Sequence, residues 1–193
     1  MRIVVTNHLT LDGVMQSPAA AEEDTRGGFD KGGWAAPNND DVMNRVLGVG
    51  TRESGSLLLG RRTYEHFYGF WPKQTDGNPF TEVLNRSTKY VASRTLEEPL
   101  PWENSKLLEG DAADAVAELK QQPGPDTVIL GSGELIQSLM PRGLIDELLL
   151  MIHPIVVGHG RRMFGDDGAH ARLKLTESVT TTTGVVIARY RSS

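Results

Sequence analysis

The chain reads as an α/β protein with a mainly parallel sheet and an antiparallel hairpin at its C-terminal end. Three observations predict this. Short apolar runs alternate with helical patterns through the middle of the sequence. Two of those runs end in glycine turns that open helices directly. The tail holds two β-rich stretches about a Thr-rich turn at Gly184, the pattern of a hairpin. A length of 193 residues suits one domain, expected to span 1–193, with a core that needs no covalent staples.

The elements follow in order. Ile3 to Leu9 reads as a buried strand that ends at the turn-forming Asp12-Gly13. From Gln16 to Asn39 neither period 2 nor period 3.6 survives, and a loop this long within a domain is usually functional. Trp34 within it is expected to find somewhere to pack. Asp40 to Leu47 is a helix with Val42, Met43, Val46 and Leu47 as its stripe and Asn38 or Asn39 as its cap. Ser56 to Leu59 is a strand, followed at once by a helix opening at Gly60-Arg61-Arg62-Thr63. Lys89 to Ala92 is a strand, and Asp111 caps a helix carrying Ala112, Ala115, Val116 and Leu119 on one face. Thr127 to Leu130 feeds Gly131-Ser132-Gly133 and a helix bearing Leu135, Ile136 and Leu139. Leu148 to Ile152 is the next strand, and Leu173–Thr181 with Val185–Tyr190 forms the hairpin.

Composition narrows the function. The chain has no cysteine, so disulfides, thiolate metal sites and cysteine nucleophiles are excluded. A net charge of −5 disfavours nucleic-acid and anionic-membrane surfaces. No apolar run approaches the roughly 20 residues of a membrane helix, and Met1 to Thr6 lacks a signal-peptide core, so a cytoplasmic protein is expected. The histidines His8, His66, His153, His159 and His170 lack metal-ligand spacing and are expected to be structural or surface residues, so no metal site is expected. Gly158-His159-Gly160-Arg161-Arg162 and Gly165-Asp166-Asp167-Gly168 read as turns.

Three strand ends carry donors suited to phosphate. A helix N-terminus offers unpaired N–H groups and about half a positive charge, and glycine lets an anion approach the main chain. Gly60-Arg61-Arg62-Thr63 adds two guanidiniums and a hydroxyl. Gly131-Ser132-Gly133-Glu134 is a second such turn, and Ser93-Arg94 a third donor pair. Three such ends suit a dinucleotide with an additional 2′-phosphate. Gly131-Ser132-Gly133 is no nucleophile elbow, because Leu130 stands where the first glycine belongs, and no P-loop sequence is present.

In this order and spacing the motifs resemble the dihydrofolate reductase fold, in the branch related to the reductase domain of riboflavin biosynthesis. The resemblance rests on Leu11-Asp12-Gly13, Gly60-Arg61-x-Thr63-Tyr64, Ser93-Arg94 and the Gly131-x-Gly133 unit. The branch is marked by Gly143-Leu144-Ile145-Asp146-Glu147-Leu148 leading to Pro154, Gly158, Gly160 and Phe164. It implies a three-layer α/β/α domain and NADPH as cofactor. By resemblance, Gly60, Arg61, Arg62 and Thr63 would hold the phosphates, and Ser93 and Arg94 the adenosine 2′-phosphate. Gly131, Ser132, Gly133, Glu134 and Leu135 would cradle the pyrophosphate, with Asn7 and His8 meeting the nicotinamide carboxamide through backbone. Ile136 stands where the family usually has a tyrosine beside the nicotinamide. The family usually has Gly-Gly with a cis peptide where this chain has Gly131-Ser132.

Trp34-Ala35-Ala36-Pro37-Asn38-Asn39-Asp40-Asp41 resembles the family's Trp-x-x-Pro-x-Asp with the register slipped, so Asp40 or Asp41 is the candidate proton source. Either acid could instead only complement a helix dipole. The expected activity is NADPH-dependent hydride transfer to a small, planar, pterin- or pyrimidine-like C=N or C=O substrate, under a Gln16–Asn39 loop that closes over the nicotinamide. Two alternatives stand beside it. One is a riboflavin-pathway reductase of a ribosylated pyrimidine, which would use Arg161 or Arg162; the other is a dinucleotide-binding protein without catalysis. The resemblance also implies a homodimer.

Overall fold

The computed structural model describes residues 1–53, 55–75, 77–165 and 170–192; the predicted turn at Gly165-Asp166-Asp167-Gly168 thus lies mostly outside the described residues. Among the described residues five α-helices and eight strands follow in order. They are β1 (Ile3–Thr10), α1 (Asp41–Glu53), β2 (Ser56–Gly60), α2 (Arg61–Phe70), α3 (Pro79–Arg86), β3 (Thr88–Ala92) and β4 (Ser105–Leu108). Then come α4 (Ala112–Gln121), β5 (Thr127–Leu130), α5 (Gly133–Leu139), β6 (Glu147–His153), β7 (Leu173–Thr180) and β8 (Val186–Ser192).

All eight strands join one sheet in the order β4-β3-β2-β5-β1-β6-β8-β7. Pairing is parallel from β4 to β6, while β8 runs antiparallel to both β6 and β7. The expected α/β/α domain with its terminal hairpin is thus the fold. Strand alternation sends Ile3, Val5 and Leu9 to one face, where α4 and α5 cover them with Val116, Leu135, Ile136 and Leu139. Asp111 caps α4 as expected, accepting from the N–H groups of Ala113 and Asp114 at 2.9 and 3.2 Å.

Two elements carry no assignment in the sequence reading. Asn78 caps α3 by accepting from the Phe80 N–H at 3.0 Å, with Pro79 at its first position. Strand β4 is four residues at the sheet edge, too short to display alternation. The cap of α1 also differs from expectation: Asp40, and not Asn38 or Asn39, accepts from the Met43 N–H at 2.9 Å. Asn38 instead closes a short 3₁₀ turn, Ala36–Asn38.

Candidate functional site

The other face of the sheet is covered in two separate patches. Tyr64, Leu84 and Trp102 pack over Val4, Leu57, Leu59 and Val128. Met43 of α1 packs over Leu149, Met151 and Ile187. Between the patches lies a cleft of about 1070 Å³, at the upper end of the roughly 300–1,000 Å³ of small-molecule sites. Within β1 only Thr6 and His8 escape full burial, because they face this cleft.

The cleft extends over the strand ends. Strands β3, β2 and β5 are parallel neighbours, so the turns that follow them lie side by side. Gly60 to Thr63, Ser93, Arg94 and Gly131 to Leu135 all line the cleft. A single hydroxyl joins two of the turns: Ser132 Oγ accepts from the Gly60 N–H at 3.0 Å and donates to Thr63 Oγ1 at 3.0 Å. Gly131 at φ +64° and Ser132 at φ 57°, ψ 49° are both left-handed. That conformation costs a serine about 1–3 kcal/mol, an expense its two hydroxyl bonds offset. The peptide between them is trans, unlike the family's usual cis bond, since Glu98–Pro99 is the one cis bond among the described residues. Asn7 braces the same turn: its side-chain Oδ1 accepts from the Gly131 N–H at 2.8 Å.

The arginines of the cleft divide into engaged and unengaged. Arg61 pairs with Glu65 at 3.0 Å along α2. Arg161 pairs with Glu134 at 2.9 Å, and Arg162 donates to the Asp12 carbonyl at 2.9 Å. Arg62 and Arg94 line the cleft and form no ion pair among the described residues. Ser93 Oγ accepts from the N–H groups of Thr95 and Leu96 at 3.1 and 3.0 Å, which leaves its own proton to donate.

The long loop is ordered, and its pins carry no sequence signal. Gln16, 4% exposed, donates through Nε2 to the Asp24 and Arg26 carbonyls and accepts at Oε1 from the Arg161 N–H. Trp34 packs as expected, with Val14, Phe29 and Ala35, and donates to the Gln16 carbonyl at 2.8 Å. Ser17, Pro18 and Asp24 bring the loop to the cleft wall. Gly160, at φ +125°, lets the Arg161 segment close on Phe29 and Val14, each 2.8 Å from where a Cβ would stand. Asp12 secures the far side by accepting from the N–H groups of Val157 and Gly158. That contact explains why Leu11-Asp12-Gly13 and Gly158-x-Gly160 occur together.

Several predicted residues lie elsewhere. The Asp40 carboxylate is committed to its cap and to Thr182, whose N–H and hydroxyl each donate at 2.7 Å. The Met43 N–H first, then the Thr182 hydroxyl, holds its pKa below the usual carboxylate range. Neither Asp40 nor Asp41 lines the cleft. Ile136 is fully buried in the core on the opposite face of the sheet.

His8 and His153, each expected to be a structural or surface residue, with the backbone of His8 also expected to meet the nicotinamide, come together on the cleft side of β1. His8 Nδ1 lies 2.9 Å from His153 Nε2, and His153 Nδ1 lies 3.3 Å from Asn38 Nδ2. Trp34 stands edge-on to His153 with ring centroids 5.3 Å apart. Burial, and for His8 also the neighbouring His153, pushes both pKa values down to about 4. Strand register alone offered no sign of the pair, because the Cα partner of His153 is Thr10.

Sheet order, the helices on both faces and the cleft over the strand ends define a dihydrofolate reductase-like α/β protein. The chain belongs to the RibD C-terminal domain family, whose sequence model matches residues 2–187. It is 30% identical over 193 residues to the uncharacterized protein YyaP of Bacillus subtilis (strain 168), covering 96% of this chain and 92% of that one. Among solved structures it is similar to a putative riboflavin biosynthesis protein from Shewanella sp. PV-4, with 24% identity, a TM-score of 0.72, and 100% and 99% of the two chains covered. It is also similar to Enterococcus faecalis dihydrofolate reductase complexed with NADP(H), at 13% identity and TM-score 0.61, covering 100% and 96%. At these identities the structural likeness is one of fold.

Proposed function

We propose that this protein is a cytoplasmic, NADPH-dependent reductase that transfers hydride to a small planar heterocycle, pterin- or pyrimidine-like, at a C=N or C=O bond. One observation carries the proposal: two helix openings linked through Ser132 share a cleft with the unpaired guanidiniums of Arg62 and Arg94. Donors without anions, gathered at parallel strand ends, fit a phosphorylated dinucleotide. Gly60 to Thr63 and Gly131 to Leu135 would take the phosphates, and Ser93 with Arg94 the 2′-phosphate. The backbone at Asn7 and His8 would take the carboxamide, while Ile136 would serve the site only by packing. When bound, the cofactor supplies the hydride; the chain binds, orients and excludes water.

Asp40 and Asp41 lie outside the cleft lining, and water is proposed as the proton source in their place. The committed Asp40 also favours a second reading, dinucleotide binding without catalysis. NADPH oxidation against a panel of pterins, pyrimidines and small carbonyl compounds separates the two. Turnover of one of them is expected, and binding without oxidation across the panel would select the second reading. A ribosylated pyrimidine phosphate is a poorer fit, since Arg161 and Arg162 already have acceptors on Glu134 and Asp12. A homodimer is also proposed. All eight residues of the edge strand β7 are exposed, including Leu173, Leu175 and Val179, and light scattering should return twice the chain mass.

A further inference from the structure

The histidine pair has a direction. Asn38 Nδ2 is a donor, so His153 Nδ1 accepts and the hydrogen of His153 resides on Nε2. That Nε2–H donates to His8 Nδ1, which leaves the hydrogen of His8 on its own Nε2. Two features of the fold hold the arrangement: Asn38 sits in the 3₁₀ turn before α1, with its carbonyl accepting from Thr183 Oγ1 at 2.8 Å, and His153 is fully buried beside Trp34. His8 is incompletely buried and lines the cleft. Among the described residues its Nε2 has no hydrogen-bond partner and is not a buried unsatisfied atom.

We propose that His8 is the substrate-recognition residue of the cleft, presenting Nε2–H as a hydrogen-bond donor to a carbonyl oxygen of a planar heterocycle, with His153 and Asn38 as positioning residues. The inference rests on the proposed reductase reading and adds the substrate feature that this site selects. A neutral imidazole suits the task, because it donates without placing a charge in the cleft, and burial keeps both rings neutral at neutral pH. A substrate lacking an acceptor at that position would leave the donor unpaired, and buried polar groups discriminate most strongly when left without a partner.

Long-range proton–nitrogen NMR on protein with isotope-labelled histidine reads the tautomers directly, without cofactor. At neutral pH the hydrogen of both His8 and His153 is expected on Nε2. A hydrogen on Nδ1 of His8 would overturn the proposal. Asn38→Ala is expected to mix the two tautomers of His8, and an unchanged His8 spectrum would remove Asn38 from the relay. Binding of pterin is then compared with binding of aminopteridine, the same ring without its carbonyl oxygen. Wild-type protein is expected to prefer pterin by about tenfold, and His8→Phe to abolish the preference. Equal binding of the two rings, binding of neither, or a preference that survives His8→Phe would overturn it. NADPH titration of the same samples keeps the two claims apart: loss of NADPH binding sinks the reductase reading, whereas the tautomers alone decide the direction of the relay.

Discussion

Arg94 stands two residues beyond the end of β3, lines the cleft and has no acidic partner among the described residues, so an anion of the ligand is its natural acceptor. Arg94→Ala is expected to weaken NADPH by about tenfold or more, some 1.4 kcal/mol, and NADH much less, because only NADPH carries the 2′-phosphate. Equal losses in fluorescence titrations of both nucleotides would count against that pairing. His8 and His153 give the protein an acid-sensitive stability. Their folded pKa values of about 4 lie below the ordinary 6.5, so the unfolded chain takes up protons first as pH falls. Stability should therefore decline from pH 6.5 towards 4, with His153→Asn flattening that limb in urea titrations. A wild-type curve that is flat across this window would refute the assignment. Residues differ in how legible they are. Gly60, Arg62 and Gly131 declare themselves by type and position, whereas the meeting of His8 with His153 depends on side chains from separated segments. Asp40 shows the opposite limit, since a carboxylate before a helix looks the same whether it serves chemistry or the cap.

At the scale of elements, regularity decides what a sequence discloses. Helix α4 and strands β1, β2, β3, β5 and β6 announce themselves by caps and apolar runs, and each lies within about two residues of its expected bounds. Helix α3 is short, and the stretch before it lacks periodicity, although Asn78-Pro79 is an opening signal. Strand β4 depends on tertiary support. The Lys89 ammonium is wholly buried, donates to the carbonyls of Asn85, Ser87 and Glu103 at 2.8, 2.8 and 2.9 Å, and sits 4.4 Å from the Trp102 ring. It thereby ties the end of α3 to the segment entering β4. Lys89→Met should destabilise the protein by about 2 kcal/mol or more, because three carbonyls, the buried one of Ser87 among them, lose their donor. Chemical denaturation with an unchanged midpoint would show that the tie contributes little. The Gln16–Asn39 loop is the clearest failure of periodicity, because its order comes from one buried glutamine and a small satellite core.

For the whole molecule, the parallel sheet does two things at once. It aligns three turns along one edge, and it leaves a gap between two apolar patches on one face. Phosphate-suited donors and a cleft of small-molecule size are thereby brought together in a single cavity. Titration of the protein with NADPH and NADH, followed by dihydronicotinamide fluorescence, tests that union most directly. Saturable binding is predicted for both nucleotides, tighter for NADPH; absence of saturation by either at millimolar concentration would contradict it.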